Sequence, residues 1–302
     1  MLDFIRIACA VPAVKVGDVK KNTEDICTYI EKADAQNADI VLFPELAMTG
    51  YTCGDLFFQN TLHNAVKCGL RQIADYSSKH PNITAVVGLP VRVGTKLYNC
   101  AAVISRGQIE GFVPKTHLSA AEKRWFSAGD ELDRVWMSCE RFGMIPSEDF
   151  YGAPLSPNQL FSLGDDAMVG IEICEDMMVP QPRCSQLAAN GAEVILNLSA
   201  SPELAGKRKK RAEMVKHYST VCNCVYAYAS AGGTESTADT VYSGHSIIAE
   251  NGQIFKENEH MIDTDYMMIQ DCDLGLIRAN RSKSKNFDEA PDDRFVVEVY
   301  GD

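Results

Sequence analysis

The feature of this sequence that most constrains its fold is the alternation of short apolar runs with stretches of helical periodicity. FIRIACAV (4–11) and DIVLFPE (39–45) are strand-like, and VKKNTEDICTYIEKADAQNA (19–38) between them has apolar residues at helical spacing. The alternation resumes with AMVGIEIC, which begins at residue 167. Strands that alternate with helices predict an α/β fold in which helices cover the sheet.

Two predicted hairpins interrupt this alternation. One turns at Arg106-Gly107 and the other at Asn251-Gly252, whose residues suit a turn that needs positive φ. Hairpins inserted among βα units predict mixed sheets. Residues 116–160 are less regular, and we expect one domain over residues 1–275. Residues 276–302 are polar and end acidic, which is typical of an extension or the start of a linker.

Composition and charge exclude several classes of protein. With 302 residues, 46% of them hydrophobic, the chain is long enough for a sizeable core. The formal net charge of −12 disfavours binding to nucleic acid or anionic membranes. The exception is GKRKKR (206–211), which we interpret as a solvated helix face or a rim that faces an anion. No apolar window is long enough to span a membrane and the N-terminus lacks a leader pattern, so we expect a cytoplasmic protein.

The cysteines support a reducing compartment. All 11 are scattered, and most lie inside apolar segments, unlike the dense pattern of a disulfide scaffold. The C-x-C pair Cys222 and Cys224 has no second half with zinc-ligand spacing, so we expect no metal site.

Three ionisable residues share one sequence context. Glu45, Lys115 and Cys174 each follow directly after an apolar run that we interpret as a strand. Because sites in α/β sheets gather beyond the carboxyl ends of the strands, we expect the three side chains to converge.

These residue types can perform covalent hydrolysis together. A cysteine attacks as a thiolate, so it needs a nearby base or cation. Glu45 suits the role of general base, and Lys115 supplies positive charge for a tetrahedral oxyanion. The strand ends carry no histidine, which makes a Cys-His protease the weaker interpretation.

Three motifs around these residues resemble those of the nitrilase superfamily of carbon–nitrogen hydrolases. LFPELAMTGY, VPKTHL and GIEICED match the surroundings of that family's Glu-Lys-Cys triad. The resemblance implies a four-layer αββα sandwich. Further stretches, EKRWFSAGDE and NLSASPELAGKRKKR among them, resemble the glutaminase domains of glutamine-dependent NAD synthetases.

The resemblance implies roles for five further residues. Glu122 would orient the lysine and the substrate, and Glu175 would face the α-amino group of glutamine. Ser201 would bind the α-amino-acid end of glutamine, Lys207 stands where the family has a basic substrate-binding residue, and Tyr51 would line the pocket. From the residues alone, Glu175 is equally explained as a polar strand-exit residue, Ser201 as a turn residue before a proline, and Tyr51 as an aromatic at the edge of the core.

The implied activity is hydrolysis of the glutamine side-chain amide, with ammonia passed to a synthetase domain that amidates deamido-NAD. The glutaminase step would need no cofactor, whereas ATP and Mg would belong to the synthetase, whose SGG-x-DS phosphate loop does not occur in this sequence. The family also implies a homodimer or higher homo-oligomer. A stand-alone amidase for another small ω-amide or N-carbamoyl compound remains the alternative, and a catalytically silent assembly module is a third hypothesis.

Overall fold

The computed structural model describes residues 3–132, 134–142, 152–164, 167–259, 261–262, 264–284, 287 and 294–299. Five α-helices lie in these ranges: α1 (Val19–Asp34), α2 (Asn60–Ser77), α3 (Arg183–Ala189), α4 (Lys207–Val221) and α5 (Leu274–Ser284). None of these described helices combines the length and the apolar character that crossing a membrane requires.

The described strands follow the chain in this order: β1 (Phe4–Val11), β2 (Ile40–Leu42), β3 (Thr84–Val93), β4 (Lys96–Ser105), β5 (Gln108–Pro114), β6 (Val135–Ser138), β7 (Gly152–Leu155), β8 (Gln159–Leu163), β9 (Ala167–Ile173), β10 (Val194–Ser199), β11 (Val225–Ser230), β12 (Ser246–Glu250), β13 (Gln253–Glu257), β14 (Tyr266–Asp273) and β15 (Phe295–Glu298).

The strands form two mixed sheets, as predicted. The eight-stranded first sheet has the order β14-β1-β2-β3-β4-β5-β7-β6, and the seven-stranded second sheet has the order β13-β12-β11-β10-β9-β8-β15. The centre of each sheet is parallel, β1-β2-β3 in the first and β9-β10-β11 in the second. Antiparallel hairpins extend both centres.

The two sheets stack face to face between two layers of helices. One apolar core lies between the sheets and includes Leu42 and Val113 from the first sheet and Ile171 and Leu198 from the second. A second core joins the first sheet to α1 and α2, and a third joins the second sheet to α3 and α4. This arrangement confirms the predicted four-layer αββα sandwich.

The helix boundaries follow from local chemistry. The helix α1 begins after Asp18, whose Oδ1 accepts the Lys21 backbone N–H at 3.2 Å. The prediction extended this helix to residue 38, but it ends at Asp34 and the chain reverses through Asn37 at φ 55°. The helix α4 begins at Lys207, directly after Gly206, whose φ of 79° lies in the left-handed region.

Both predicted hairpin turns are confirmed. Arg106 and Gly107 have φ values of 49° and 87°, and Asn251 and Gly252 have φ values of 47° and 85°. The irregular middle of the sequence, in contrast, conceals two strands. Those strands, β6 and β7, have four residues each, which is too short for a periodic pattern to be recognised.

The chain after residue 275 contributes to both the helical layer and the second sheet. The predicted domain boundary falls inside α5, whose Arg281 Nη2 donates to the Ala192 carbonyl at 2.6 Å and to the Cys222 carbonyl at 3.0 Å. Further on, β15 pairs in parallel with β8 at the edge of the second sheet. The helix and the strand therefore pack on the sandwich that precedes them.

Candidate active site

The ends of three strands bring Glu45, Lys115 and Cys174 together. Two reversals separate β3 from β5, so β5 runs parallel to β2 and both end at the same edge of the first sheet. From the second sheet, β9 packs against β4 and β5 and delivers Cys174. The Glu45 backbone N–H donates to the Ser199 carbonyl at the end of β10 at 3.2 Å, which connects the two sheets at the site.

Lys115 is the centre of a buried ion cluster. Its Nζ lies 2.6 Å from Glu45 Oε1 and 2.8 Å from both carboxylate oxygens of Glu122, and the side chain is 1% exposed. Burial disfavours the ammonium form, but the two carboxylates and the Cys174 thiol outweigh it and raise the pKa of Lys115 well above its ordinary value. Lys115 therefore holds a full positive charge inside the protein.

The two carboxylates of this cluster are held differently. Burial raises the pKa of Glu45 to about 7, and Lys115 opposes that rise. Burial acts on Glu122 as well, but Lys115 and the Ser119 backbone N–H, 2.9 Å from Oε2, lower the pKa of Glu122 overall. Two neighbouring carboxyls with opposite shifts are suited to different tasks, one to proton transfer and the other to fixing the cation.

Glu45 retains one oxygen for chemistry. Its Oε1 accepts from Lys115 and, at 2.7 Å, from Asn99 Nδ2. Its Oε2 is buried, and no group in the described part of the chain hydrogen-bonds to it. A buried carboxylate oxygen without a donor is costly in a folded protein, which makes it a natural proton acceptor.

Cys174 lies at a sharp change of direction. Its φ of 48° is in the left-handed region, and a 3-10 turn over Cys174–Met177 begins with it. Such strain in a residue other than glycine is concentrated at functional sites. Burial, with a contribution from Glu45, raises the pKa of its thiol to about 12, whereas Lys115 and the Ala200 backbone N–H act in the opposite direction. The thiol is therefore protonated at neutral pH.

Asp176 connects the turn at Cys174 to the loop that follows Lys115. Its carboxylate accepts the backbone N–H groups of Ile173, Thr116 and His117 at 3.1, 3.1 and 2.7 Å, and the Thr116 hydroxyl at 2.7 Å. These donors lie directly before Cys174 and directly after Lys115. The side chain, 2% exposed, therefore fixes the distance between the two loops.

Two of the predicted substrate residues, Ser201 and Lys207, lie between the end of β10 and the first turn of α4. Lys207 is half-buried at the start of α4 and interacts electrostatically with Cys174 and Glu175. Burial lowers the pKa of Lys207, and the charges of Cys174 and Glu175 oppose that effect. Ser201 is buried two residues beyond β10 and donates its backbone N–H to Ser230 Oγ at 3.1 Å. Lys207 therefore lies within electrostatic range of both Cys174 and Glu175.

Tyr51 is the aromatic member of this group. Its ring meets Tyr242 edge-on at a centroid distance of 6.0 Å, and burial raises the pKa of its phenol, as do the charges of Glu45 and Glu122. The Tyr51 backbone N–H donates to Glu235 Oε1 at 2.7 Å. Glu235 therefore anchors the loop that follows Glu45.

The interpretation of residues 206–211 as a solvated face was wrong for Arg211. This side chain is fully buried and ion-pairs with Glu203, while Nε donates to His245 Nδ1 at 3.0 Å. Lys209 and Lys210 are exposed, as expected of a solvated face. The basic run thus divides between surface and interior according to the face of α4 on which each residue lies.

Two residues near the site were missed in the sequence. Asn99 donates to both Glu45 and Glu122, and its signal was a polar residue within an apolar strand, β4. Gly88 allows β3 to approach the Glu45 turn, because a Cβ there would lie 2.4 Å from the Leu46 backbone nitrogen. No sequence pattern distinguishes that glycine from others.

Across the part of the chain that the structure describes, no group of three or more His, Cys, Asp or Glu side chains could hold a metal ion. The ionisable groups brought together at this site are the Cys174 thiol, the Glu45 carboxylate and the buried Lys115 ammonium.

Known proteins resemble this chain in sequence and in fold. The carbon–nitrogen hydrolase family model matches residues 6–282. Glutamine-dependent NAD(+) synthetases of Mycobacterium leprae and Mycobacterium tuberculosis are 31% and 32% identical over 95% of this chain, and it spans 41% of their length.

Solved structures agree with this result. A glutamine-dependent NAD(+) synthetase from Cytophaga hutchinsonii matches 89% of this chain and 43% of its own at a TM-score of 0.76 and 29% identity. An amidase from Nesterenkonia sp. matches 93% of this chain and 95% of its own at a TM-score of 0.69, and at 20% identity that likeness concerns the fold. With the family model matching most of its length, this chain belongs to the carbon–nitrogen hydrolase family.

Proposed function

We propose that this chain hydrolyses the side-chain amide of glutamine to glutamate and ammonia through a thioester on Cys174. The observation that carries the proposal is the uncommitted Oε2 of Glu45, buried beside Lys115 and in the electrostatic range of the Cys174 thiol. A base, a cation and a nucleophile in one buried cluster are the parts that amide hydrolysis requires.

The reaction follows from the geometry. Glu45 Oε2 takes the thiol proton as Sγ attacks the amide carbon, and the negative charge on the amide oxygen forms beside Lys115 Nζ. The backbone N–H of Glu175 is the second donor we expect for this oxyanion. Glu45 then gives the proton to the amide nitrogen, and ammonia leaves as the thioester forms. Water, deprotonated by Glu45, attacks the thioester, and glutamate is released as the thiol regains its proton.

The surroundings of the thiol support glutamine as the substrate. Lys207 carries positive charge near Cys174, and Glu175 carries negative charge near Lys207. A cation and an anion side by side match the α-carboxylate and α-ammonium of an amino acid. Ser201 and Tyr51 complete this side of the proposed pocket.

The destination of the ammonia is inferred from the relatives. The mycobacterial proteins are named glutamine-dependent NAD(+) synthetases, and this chain corresponds to 41% of their length. We therefore propose that the ammonia serves amidation of deamido-NAD by a synthetase module, which would bind the ATP and Mg. The glutaminase step itself uses no cofactor in this scheme.

One observation favours a second candidate. The Nesterenkonia protein, which is named an amidase, shares the fold of this chain at a TM-score of 0.69. A stand-alone amidase for another small ω-amide or N-carbamoyl compound is thus the alternative function.

The first experiment measures ammonia release from glutamine, asparagine, simple aliphatic amides and N-carbamoyl compounds. We expect a clear preference for glutamine, complete loss of turnover in Cys174→Ala, and unchanged turnover in Cys68→Ala, whose cysteine is exposed on α2. Incubation with a diazoketone analogue of glutamine should add mass at Cys174.

The outcomes separate the hypotheses. Preference for another amide would favour the stand-alone amidase. Turnover retained by Cys174→Ala would refute the nucleophile assignment. Failure of both turnover and labelling, with and without added synthetase module, would support an assembly module.

We also propose a homodimer or higher homo-oligomer in the cytoplasm. All ten cysteines whose side chains the structure describes are free thiols, which is typical of a reducing compartment. Light scattering at several protein concentrations measures the oligomeric state. A monomer at every concentration would contradict the proposed homo-oligomer.

A further inference from the structure

We propose that Arg211 is a positioning residue that sets the enzyme's selectivity for amides carrying an α-amino-acid end. It does not touch the reacting atoms and acts through the Ser201 loop and the first turn of α4. This inference rests on the proposed function, because it concerns recognition of the same substrate.

The contacts of Arg211 reach three segments around the site. Its Nη1 donates to Ser201 Oγ at 3.4 Å and to the Pro202 carbonyl at 3.5 Å. Its Nη2 ion-pairs with Glu203 and donates to Ser243 Oγ at 3.5 Å. One planar guanidinium thus joins α4, the loop after β10 and the loop before β12, with a geometry that a lysine could not reproduce.

The Ser201 contact determines what its hydroxyl can recognise. A serine hydroxyl has one hydrogen to donate and two lone pairs. Because one lone pair is directed at Arg211, the hydroxyl hydrogen is available for an acceptor in the pocket. A carboxylate is such an acceptor, and Lys207, one turn before Arg211 on the same helix, adds positive charge on that side. Arg211 therefore holds together the two groups that suit an α-carboxylate.

The neighbours of Arg211 hold its side chain in place. His245 accepts from Arg211 Nε at Nδ1 and, through the hydrogen on Nε2, donates to Glu257 Oε1 at 2.8 Å. Burial, aided by the Arg208 charge, lowers the pKa of His245 to about 4, so the ring stays neutral and can accept from the guanidinium. Ser243 donates its hydroxyl to Glu203 Oε2 at 2.5 Å, which fixes the carboxylate that neutralises Arg211.

The test measures glutamine binding and turnover separately. Calorimetry compares Cys174→Ala with the double variants Cys174→Ala/Arg211→Lys and Cys174→Ala/Lys210→Met. Lys210 is the adjacent cation on α4, but it is exposed. We expect at least a tenfold weaker Kd with Arg211→Lys and no change with Lys210→Met. Arg211→Lys keeps the charge, so it is safer for folding than Arg211→Met.

Steady-state kinetics of variants that keep Cys174 distinguish a positioning role from a general loss of native structure. Arg211→Lys should raise KM for glutamine at least tenfold, leave kcat within about threefold, and leave the alkylation rate of Cys174 by iodoacetamide unchanged. Adding Ser201→Ala to Arg211→Lys should cost less than the sum of the two single losses, because Arg211 acts through the Ser201 hydroxyl.

Several results would overturn the inference. Unchanged Kd and KM in Arg211→Lys would remove the positioning role while leaving the proposed function intact. An equal loss of alkylation and of glutamine binding would mean that Arg211 only supports the fold. If Cys174→Ala binds no glutamine and the unmodified enzyme turns none over, the proposed function fails and the inference fails with it.

Discussion

Two buried cations, one near each sheet, show how similar ion clusters can serve different purposes. Lys115 lies between Glu45 and Glu122 at the end of the first sheet, and Arg211 lies against Glu203 and His245 beside the second. Both side chains are 1% exposed. Burial of a charge is costly unless it is paired and hydrogen-bonded, and both cations meet that condition.

The difference lies in what each cluster leaves unsatisfied. At Lys115, a carboxylate oxygen of Glu45 has no donor among the described residues, and a strained cysteine lies nearby. At Arg211, every nitrogen of the guanidinium donates to a neighbour. An incomplete buried cluster is suited to chemistry and a complete one to holding shape, and the following predictions test that distinction.

Removing the uncommitted base should have the largest effect. We expect Glu45→Gln to lower kcat by about 10³-fold, because the amide cannot accept the thiol proton. The variant should remain folded, because the glutamine oxygen can still accept from Lys115. Steady-state ammonia release measures the change, and Glu24→Gln on the exposed side of α1 is the control. A loss below tenfold would assign the base to another group.

Removing the reactive cation should affect both activity and stability. Lys115→Met takes away the oxyanion partner, which is worth about 10²–10³ in kcat. It also leaves Glu45 and Glu122 buried without a cation, at a cost of about 3–5 kcal/mol in the free energy of unfolding. Urea denaturation and kinetics measure the two effects, with the exposed Lys96→Met as control. Unchanged stability would show that the cluster is more hydrated than its burial indicates.

The pH profile should report the same base. Burial raises the pKa of Glu45 to about 7, so below that pH the carboxyl is protonated and cannot take the thiol proton. We expect kcat/KM for glutamine to fall about tenfold per pH unit below 7 and to level off above it. A profile that stays flat from pH 5 to 8 would contradict this prediction.

Disturbing the connection between the two reacting loops should have a smaller effect. Asp176→Asn replaces one of the two acceptor oxygens with a donor, and at the Oδ2 position this donor faces the Ile173 and Thr116 N–H groups. We expect kcat to fall about tenfold and the free energy of unfolding to fall by about 1–3 kcal/mol. Asp176→Glu should not restore activity if the distance between the loops is what matters. Full activity in Asp176→Asn would show that Asp176 does not fix the distance between the two loops.

The smallest effect should come from an exposed cation on the same helix as Arg211. Lys209 Nζ lies 3.8 Å from Glu213 Oε1, and both side chains are largely exposed. We expect Lys209→Ala to change the free energy of unfolding by about 0.5 kcal/mol or less and to leave glutamine turnover unchanged. A larger loss of stability would mean that residues on the exposed face of α4 contribute to stability as much as those on its buried face.

Local order along the chain was sufficient to predict much of this protein. Patterns over a few neighbouring residues predicted the strands, the helices and the turns. They also predicted that Glu45, Lys115 and Cys174 each follow an apolar run. The motifs around them added the four-layer sandwich through family resemblance, and the structure confirms that fold.

Contacts between distant segments decided the rest. The free oxygen of Glu45 depends on Asn99 and Lys115, and the burial of Arg211 depends on Glu203 and His245. The sequence of a basic run does not show which of its residues face solvent and which face a buried carboxylate. Only tertiary packing separates the exposed residues from the buried one. Short-range pattern therefore determined which residues could react, whereas long-range packing decided which of their polar atoms remain free to do so.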